Sequence, residues 1–231
     1  SVLTIETGIE GNFLRLGSDF PVQNTRIFMP TDMADLSVKG RSNRDLPKTI
    51  RKMVRTAKMF AERGKRSLII VVSEFERQKV LTFASEEGLK TLSYGKGTTA
   101  RQVATRFRDG EGDCLVGTAS NYGEGVDLPD GTAPVIFSLR PGYPNPNDPQ
   151  TMFEEMRYGN QRWMLWNWRV MVELLQVRGR NIRSVSDKGV TILMSQQYRR
   201  FANGALPVWL RSAYVSKLTF DESVAETIKL I

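Results

Sequence analysis

The amino-acid sequence predicts an α/β fold in which a mostly parallel sheet carries helices on both faces. Short continuous apolar runs, the pattern of a strand buried on both faces, alternate with longer stretches of helical periodicity. Strands separated in this way are joined by right-handed crossovers and therefore lie parallel. The sequence has no internal repeat and no low-complexity segment, so we expect one domain.

The elements follow in chain order from the apolar runs and from local start and stop signals. Asp45 is the expected N-cap of the first helix, and Gly64 and Gly88 end the first two helices. A long helical stretch precedes the last strand. The apolar runs predict strands over 25–30, 67–72, 91–94, 113–118, 133–139 and 189–195. The helical periodicity predicts helices over 46–63, 74–87 and 98–109.

Function is expected in the residues that follow each strand, because ligands of open α/β sheets gather at the carboxyl ends of the strands. The Pro-rich segment 140–149 follows one of these strands and is predicted to be a rigid surface excursion within the domain.

Composition excludes several classes of chemistry. The 231 residues include one cysteine and no histidine, which rules out a disulfide framework, a Cys/His zinc site and a histidine general base. We expect no metal site in this chain. The net charge of +8 favours a polyanionic partner, although a merely basic soluble protein has the same composition. No apolar run approaches membrane-spanning length and no signal peptide is recognised, so we expect no membrane partner and a cytoplasmic location.

The segment Q-x-x-G-R-x-x-R over 176–183 is the most informative motif. On a helix, Gln176, Arg180 and Arg183 would lie on one side, and Gly179 would leave room for another backbone. Two guanidinium groups and an amide that converge suit a transferring phosphoryl group. The alternative is a basic helix C-terminus, which the helix dipole favours.

A second motif, GTASNYGEGVDLPDG over 117–131, follows a buried strand. Thr118 and Ser120 offer hydroxyls to phosphates, Gly125 permits a tight turn, and Asp127 is placed to accept from an arginine or a ribose. The alternative is a Gly-rich turn between strands. The sequence contains no G-x-x-x-x-G-K-[ST] phosphate loop and no dinucleotide fingerprint, so it does not hold a nucleotide by the usual amide cradle.

Together these motifs resemble the last two conserved motifs of superfamily 2 helicases in their DinG/XPD form. The matching segments are G-T-x-S-x-x-x-E-G-V-D-L over 117–128, Q-x-x-G-R-x-x-R over 176–183 and D-x-G-V over 187–190, and the similarity extends over about residues 67–210. The resemblance implies the C-terminal, RecA-like domain of such a helicase, which has the P-loop NTPase fold without its own P-loop.

The resemblance also implies a function for residues 1–231, with 1–24 as an irregular lead-in from a first motor domain. It implies the second motor domain of an ATP-dependent helicase that grips single-stranded nucleic acid, with DNA favoured and 5′ to 3′ polarity. ATP and Mg²⁺ would be bound mainly by the first domain. The alternative is a catalytically inactive nucleic-acid-binding module with the same fold.

The family's nucleotide-contacting roles carry over to five positions. Arg180 and Arg183 would be arginine fingers that reach ATP across the domain cleft, and Gln176 would orient the γ-phosphate or the attacking water. Gly125 and Asp127 would couple the nucleotide cleft to the nucleic-acid track.

The expected contacts with nucleic acid are Ser73, Thr118, Ser120 and Tyr122. Ser73 also begins an S-x-x-E capping box with Glu76, and a capped helix N-terminus at a strand end favours anions. Tyr122 departs from the tryptophan that the family often carries there.

Two other groups of residues have structural explanations. Trp163, Trp166 and Trp168 cover too much of a helix for one stacking platform, so we expect them to pack in the core or against another domain. A basic helix face is expected to be solvated, with contact to a nucleic-acid backbone as the alternative. It consists of Lys48, Arg51, Lys52, Arg55 and Lys58.

Overall fold

In the computed structural model, seven strands of the described chain form one sheet in which every pair is parallel. The structure describes residues 20–37, 44–122, 128, 131–182, 184–201 and 206–231. In chain order the strands are β1 (Thr25–Phe28), β2 (Ser67–Val71), β3 (Thr91–Leu92), β4 (Cys114–Thr118), β5 (Val135–Ser138), β6 (Gly189–Leu193) and β7 (Tyr214–Val215). Their order across the sheet is β3-β4-β2-β5-β6-β1-β7.

Helices connect the strands. The α-helices are α1 (Asp45–Ala61), α2 (Glu74–Glu87), α3 (Ala100–Arg108), α4 (Ala119–Tyr122), α5 (Pro149–Tyr158), α6 (Arg162–Arg178) and α7 (Phe220–Leu230). Short 3₁₀ helices cover Val22–Asn24, Gly159–Gln161, Gln196–Phe201 and Val208–Ala213. None of the helices in the described ranges is long and apolar enough to cross a bilayer.

The sheet is buried on both faces, as its apolar strands predict. In β2, Leu68 and Ile70 face one core cluster, with α3, α4 and the end of α6, whereas Ile69 and Val71 face the other, with α1, α2 and α7. The alternation follows from the period of two along a strand. The predicted fold class, a parallel sheet with helices on both faces, is therefore confirmed.

The sequence predicts the boundaries of α2 correctly but not the N-cap of α1. Helix α2 runs over the predicted residues because Ser73 caps its start and Gly88, at φ 71°, ends it in the left-handed region. The prediction that Asp45 caps α1 is wrong: the N-cap is Arg44, which makes no side-chain cap bond, and Asp45 is the first helical residue. There its carboxylate lies near the positive end of the helix dipole.

Candidate nucleotide and nucleic-acid interface

The carboxyl ends of β2 and β4 bring three of the predicted site residues, Ser73, Thr118 and Ser120, to one edge of the sheet. Val71 pairs with Thr118 at the last position of both strands. Ser73 follows β2 by two residues, and Ser120 follows β4 by two. The prediction that function gathers at the carboxyl edge therefore has a structural basis in the strand register.

Ser73 caps α2 in the predicted manner. Its hydroxyl accepts a hydrogen bond from the Glu76 backbone N–H at 3.3 Å, and Glu76 Oε2 accepts from the Ser73 and Val72 N–H groups at 3.0 and 2.9 Å. Glu76 is 1% exposed. Its other oxygen, Oε1, accepts from Arg140 Nε at 2.5 Å, which joins the start of α2 to the loop after β5. The capping box thus fixes the Ser73 hydroxyl at the strand end.

A cluster of hydroxyl groups lies at the end of β4. Thr118 Oγ1 is 2.9 Å from Ser120 Oγ, and it accepts from Asn121 Nδ2 at 2.9 Å. The Tyr94 hydroxyl lies 3.4 Å from the same Thr118 oxygen. Ser120 is exposed, whereas Thr118 is half-buried. Of the two residues, Ser120 is the more accessible to a ligand at this edge.

Tyr122 is in the core, so its predicted contact with nucleic acid is wrong for this structure. The residue is 0% exposed, and its ring meets Tyr94 edge-on at a centroid distance of 5.9 Å. Its ring also lies against Gly117, where an added Cβ would come within 2.2 Å of Tyr122 Cε2. Burial raises the pKa of the Tyr122 hydroxyl well above its ordinary value. A buried ring has no face for a base to stack on.

Gln176 and Ser120 line the same cleft, which has a volume of about 430 Å³. Gln176 is half-buried on α6 and projects toward the end of β4. The described residues that line it are Ala119, Ser120, Trp168, Arg169, Val172, Glu173 and Gln176. The structure therefore brings together one residue from each of the two motifs.

Arg180 does not share a helix face with Gln176, and that prediction is wrong. Helix α6 ends at Arg178, and the Arg180 N–H bonds to Val177 O at 3.0 Å, a tight turn that replaces the helical pattern. The Asn181 side chain then donates to the carbonyl oxygens of Pro134 and Val190, which ties the segment to the sheet. Arg180 is 9% exposed. Its guanidinium is packed inside the domain.

Three predicted residues lie outside the described part of the chain: Gly125, Asp127 and Arg183. The expected close approach of another backbone at Gly179 stays a prediction, because among the described residues only its own helix lies near that position. The nearest atoms to a Cβ at that position are the carbonyl oxygens of Leu175 and Gln176, in its own helix, at 3.3 and 3.4 Å.

Sequence reasoning missed a buried arginine network beside Ser73. Arg77 is 5% exposed, donates to Ser93 Oγ and Tyr94 O at 2.7 and 2.8 Å, and pairs with Glu74. Arg77 lowers the pKa of Glu74 to about 2. The signal in the sequence was weak, since Glu74 and Arg77 look like an ordinary surface pair three residues apart on a helix.

Two arginines on the basic face of α1 form ion pairs with glutamates at the end of α2. Arg51 pairs with Glu86 and Glu87 at 2.8 and 3.2 Å, Arg55 pairs with Glu87 at 2.8 Å, and Lys58 donates to Glu87 O. These contacts support the solvated, structural interpretation of this face over a nucleic-acid surface.

The tryptophans of α6 divide between core and surface. Trp166 is 6% exposed and donates from Nε1 to Glu154 at 2.9 Å, as expected for packing. Trp163 is 45% exposed and meets Trp166 edge-on at 5.2 Å.

Comparison with known families shows to which family the chain belongs. Residues 56–213 match the family described as the helicase C-terminal domain, more than half of the 231 residues. The chain belongs to the helicase C-terminal domain family. The predicted C-terminal domain of a helicase is thereby confirmed. No curated protein matches this helicase domain in sequence.

Solved structures similar to this helicase domain include XPD proteins. An apo XPD structure is 14% identical with a TM-score of 0.66, and the similarity covers 93% of this chain and 46% of that one. An XPD helicase structure is 15% identical with a TM-score of 0.65, covering 93% and 40%. The S. cerevisiae protein Dbp5 L327V, bound to RNA and ADP BeF3, is 14% identical with a TM-score of 0.55, covering 91% and 46%.

At these identities the likeness concerns the fold, and the predicted RecA-like fold is confirmed. The helicase domain spans less than half the length of each of these three structures.

Proposed function

We propose that residues 1–231 are the second motor domain of an ATP-dependent nucleic-acid helicase, with 1–24 as the lead-in from the first motor domain. The observation that carries the proposal is the shared cleft of Ser120 and Gln176, because it joins the two helicase motifs at the carboxyl edge of the sheet. The partner is single-stranded nucleic acid, DNA in preference, and translocation runs 5′ to 3′. The resemblance to DinG/XPD-type helicases supports both choices, and unwinding of 5′-tailed against 3′-tailed duplexes tests the polarity.

ATP and Mg²⁺ are held mainly by the first domain in this proposal. The chain has no phosphate loop, and in the described ranges no three acidic, histidine or cysteine side chains gather to hold a metal ion. In this proposal, side chains of this chain contact the nucleotide from the side of the cleft opposite the first domain. Gln176 is placed for this role at the cleft wall, where its amide would orient the γ-phosphate or the attacking water.

Arg180 is proposed as an arginine finger together with Arg183. Since Arg180 is 9% exposed in the domain alone, its guanidinium reaches the phosphates only after the segment beyond α6 rearranges during closure. Gly125 and Asp127 are proposed to couple this movement to the strand, which Ser73, Thr118 and Ser120 contact. The buried, free Cys114 and the lack of a disulfide framework support a cytoplasmic location.

The test replaces Arg180 in the full-length protein. We expect Arg180→Ala to lower kcat for ATP hydrolysis by about 10³, because the finger acts on charge that develops in the transition state. Arg180→Lys should not restore the rate, since an ammonium lacks the planar fork. Strand affinity without nucleotide should stay unchanged.

Arg178→Ala is the matched control, because Arg178 lies two residues earlier and is 6% exposed. Its kcat should remain within a few-fold of the wild type. Near-normal ATPase in Arg180→Ala, with strand binding lost, would move Arg180 to the nucleic-acid surface. Absence of ATPase in the wild-type full-length protein would favour the inactive module.

A further inference from the structure

Glu173 is an acidic side chain that lines the cleft of Ser120 and Gln176 and has no side-chain partner among the described residues. It lies on α6, three residues before Gln176, and it is half-buried. Among the described residues, burial is the only resolved influence on its carboxyl group, and no hydrogen bond or ion pair joins it to another side chain. A carboxylate withdrawn from water in this way is unfavourable unless a cation or a donor meets it.

The arginines near Glu173 are already engaged. Arg169, one turn earlier on α6, donates to both oxygens of Glu154 at 2.8 and 3.0 Å. Arg140, in the loop after β5, pairs with Glu76. Neither arginine bonds to Glu173.

The opposite side of Glu173 is closed by backbone. A Cβ at Gly142 would come within 3.2 and 3.3 Å of the two carboxylate oxygens. The loop after β5 therefore passes close to the carboxylate, and the open side of Glu173 is the cleft itself. A partner must approach from the side of Ser120 and Gln176.

We propose that Glu173 receives a lysine or arginine side chain of the first motor domain when the two domains close. The inference rests on the proposed function, which places the first domain over this cleft. Charge decides the chemistry of the occupant: the unpaired group in the cleft is a carboxylate, and the one cleft-lining arginine is neutralised by Glu154. The Glu173 carboxylate would attract a guanidinium or ammonium group at its own position in the cleft.

The titration of Glu173 supports the same conclusion. Burial raises the pKa of Glu173 to about 7. Arg169, on the same helix, lines the cleft with Glu173. The Glu173 charge also acts on Tyr198 in the 3₁₀ helix Gln196–Phe201, as do Arg140 and Tyr143 in the loop after β5. The chain has no histidine, and burial raises the pKa of Cys114 well above neutrality. Among the described residues, Glu173 is thus the group whose resolved shift brings its pKa to neutral pH.

The experiment uses the full-length protein with Glu173→Gln and Glu173→Lys. Glu173→Gln should lower kcat/KM for ATP about tenfold, because a neutral amide makes a weaker bond to the incoming cation. Glu173→Lys should lower it about a hundredfold or more, since it repels that cation. Strand affinity without nucleotide should be unchanged in both variants.

The pH profile separates this role from a structural one. The carboxylate is the form that binds the cation, so kcat/KM of the wild type should rise with pH through about 7, the pKa of Glu173. This limb should be absent in Glu173→Gln. Glu226→Gln is the control, because Glu226 is an exposed glutamate on α7 that pairs with Lys229. Glu226→Gln should keep both the wild-type kcat/KM and its rise with pH.

Three outcomes would overturn the inference. Unchanged kcat/KM in both variants would show that Glu173 does not contribute to ATP hydrolysis. Tighter strand binding in Glu173→Lys, at unchanged kcat/KM, would place Glu173 beside the nucleic acid and away from a cation of the first domain. A limb that persists in Glu173→Gln would assign the titration to another group. If Arg180→Ala also keeps full ATPase activity, the proposed function fails. If ATPase activity is lost in Arg180→Ala but kept in Glu173→Gln, only the inference about Glu173 is refuted.

Discussion

At the scale of single residues, the edge of the sheet depends on close contacts between small and large side chains at the end of β4. Gly117 lies against the ring of Tyr122, which meets the Tyr94 ring edge-on. A Cβ at Gly117 would also lie 3.0 Å from Tyr94 Cε1. The Tyr122 ring occupies the space that a side chain at position 117 would need. The Tyr122 ring is therefore part of the support for Thr118 and Ser120, which follow directly in the chain.

Gly117→Ala tests this support. A methyl group at Gly117 would lie 2.2 and 2.5 Å from two Tyr122 ring carbons, so the ring must shift. We expect the free energy of unfolding to fall by about 1–3 kcal/mol, as for overpacked cores. Urea unfolding of the chain measures it. Gly95→Ala is the control, since a Cβ there meets nothing within 4 Å. In a Tyr122→Leu background the cost of Gly117→Ala should shrink, and equal costs in both backgrounds would contradict the contact.

At the scale of elements, the sequence predicts the ends of a helix only where capping residues within one turn determine them. Helix α2 was predicted at both ends because Ser73, Glu76 and Gly88 determine its caps by themselves. Helix α6 was predicted too far, since spacing alone cannot reveal that Asn181 ties the chain to the sheet just after Arg178. The two-residue strand β7 has no readable pattern, because its place beside β1 depends on tertiary packing.

Ser73→Ala tests how far the start of α2 depends on its cap. Loss of the hydroxyl leaves the Glu76 N–H without its acceptor, and we expect a loss of about 0.5–2 kcal/mol in unfolding free energy. Ser73→Thr should keep most of the stability, because its hydroxyl accepts the same bond. Thermal unfolding of the three proteins checks the order. A Thr variant as unstable as the Ala variant would show that the cap contributes little here.

At the scale of the whole molecule, the net charge of +8 does not by itself locate a nucleic-acid surface. Much of the basic face of α1 is neutralised by Glu86 and Glu87, so the charge that remains for a strand lies elsewhere. The sequence could predict that function gathers at the carboxyl edge of the sheet. It could not predict the acidic wall that Glu173 gives to the cleft, because a single glutamate in the apolar run VMVELLQV resembles a solvated position of a helix.

The last prediction concerns binding of single-stranded DNA by this chain alone. One motor domain offers part of the track, so we expect weak binding that falls steeply between about 50 and 200 mM salt, because phosphate contacts release counterions. Fluorescence anisotropy at several salt concentrations gives the slope. Arg51→Gln with Arg55→Gln should leave this slope unchanged, since both guanidinium groups are held by Glu86 and Glu87. A slope reduced by about one unit per arginine would instead place the strand on α1, away from the carboxyl edge.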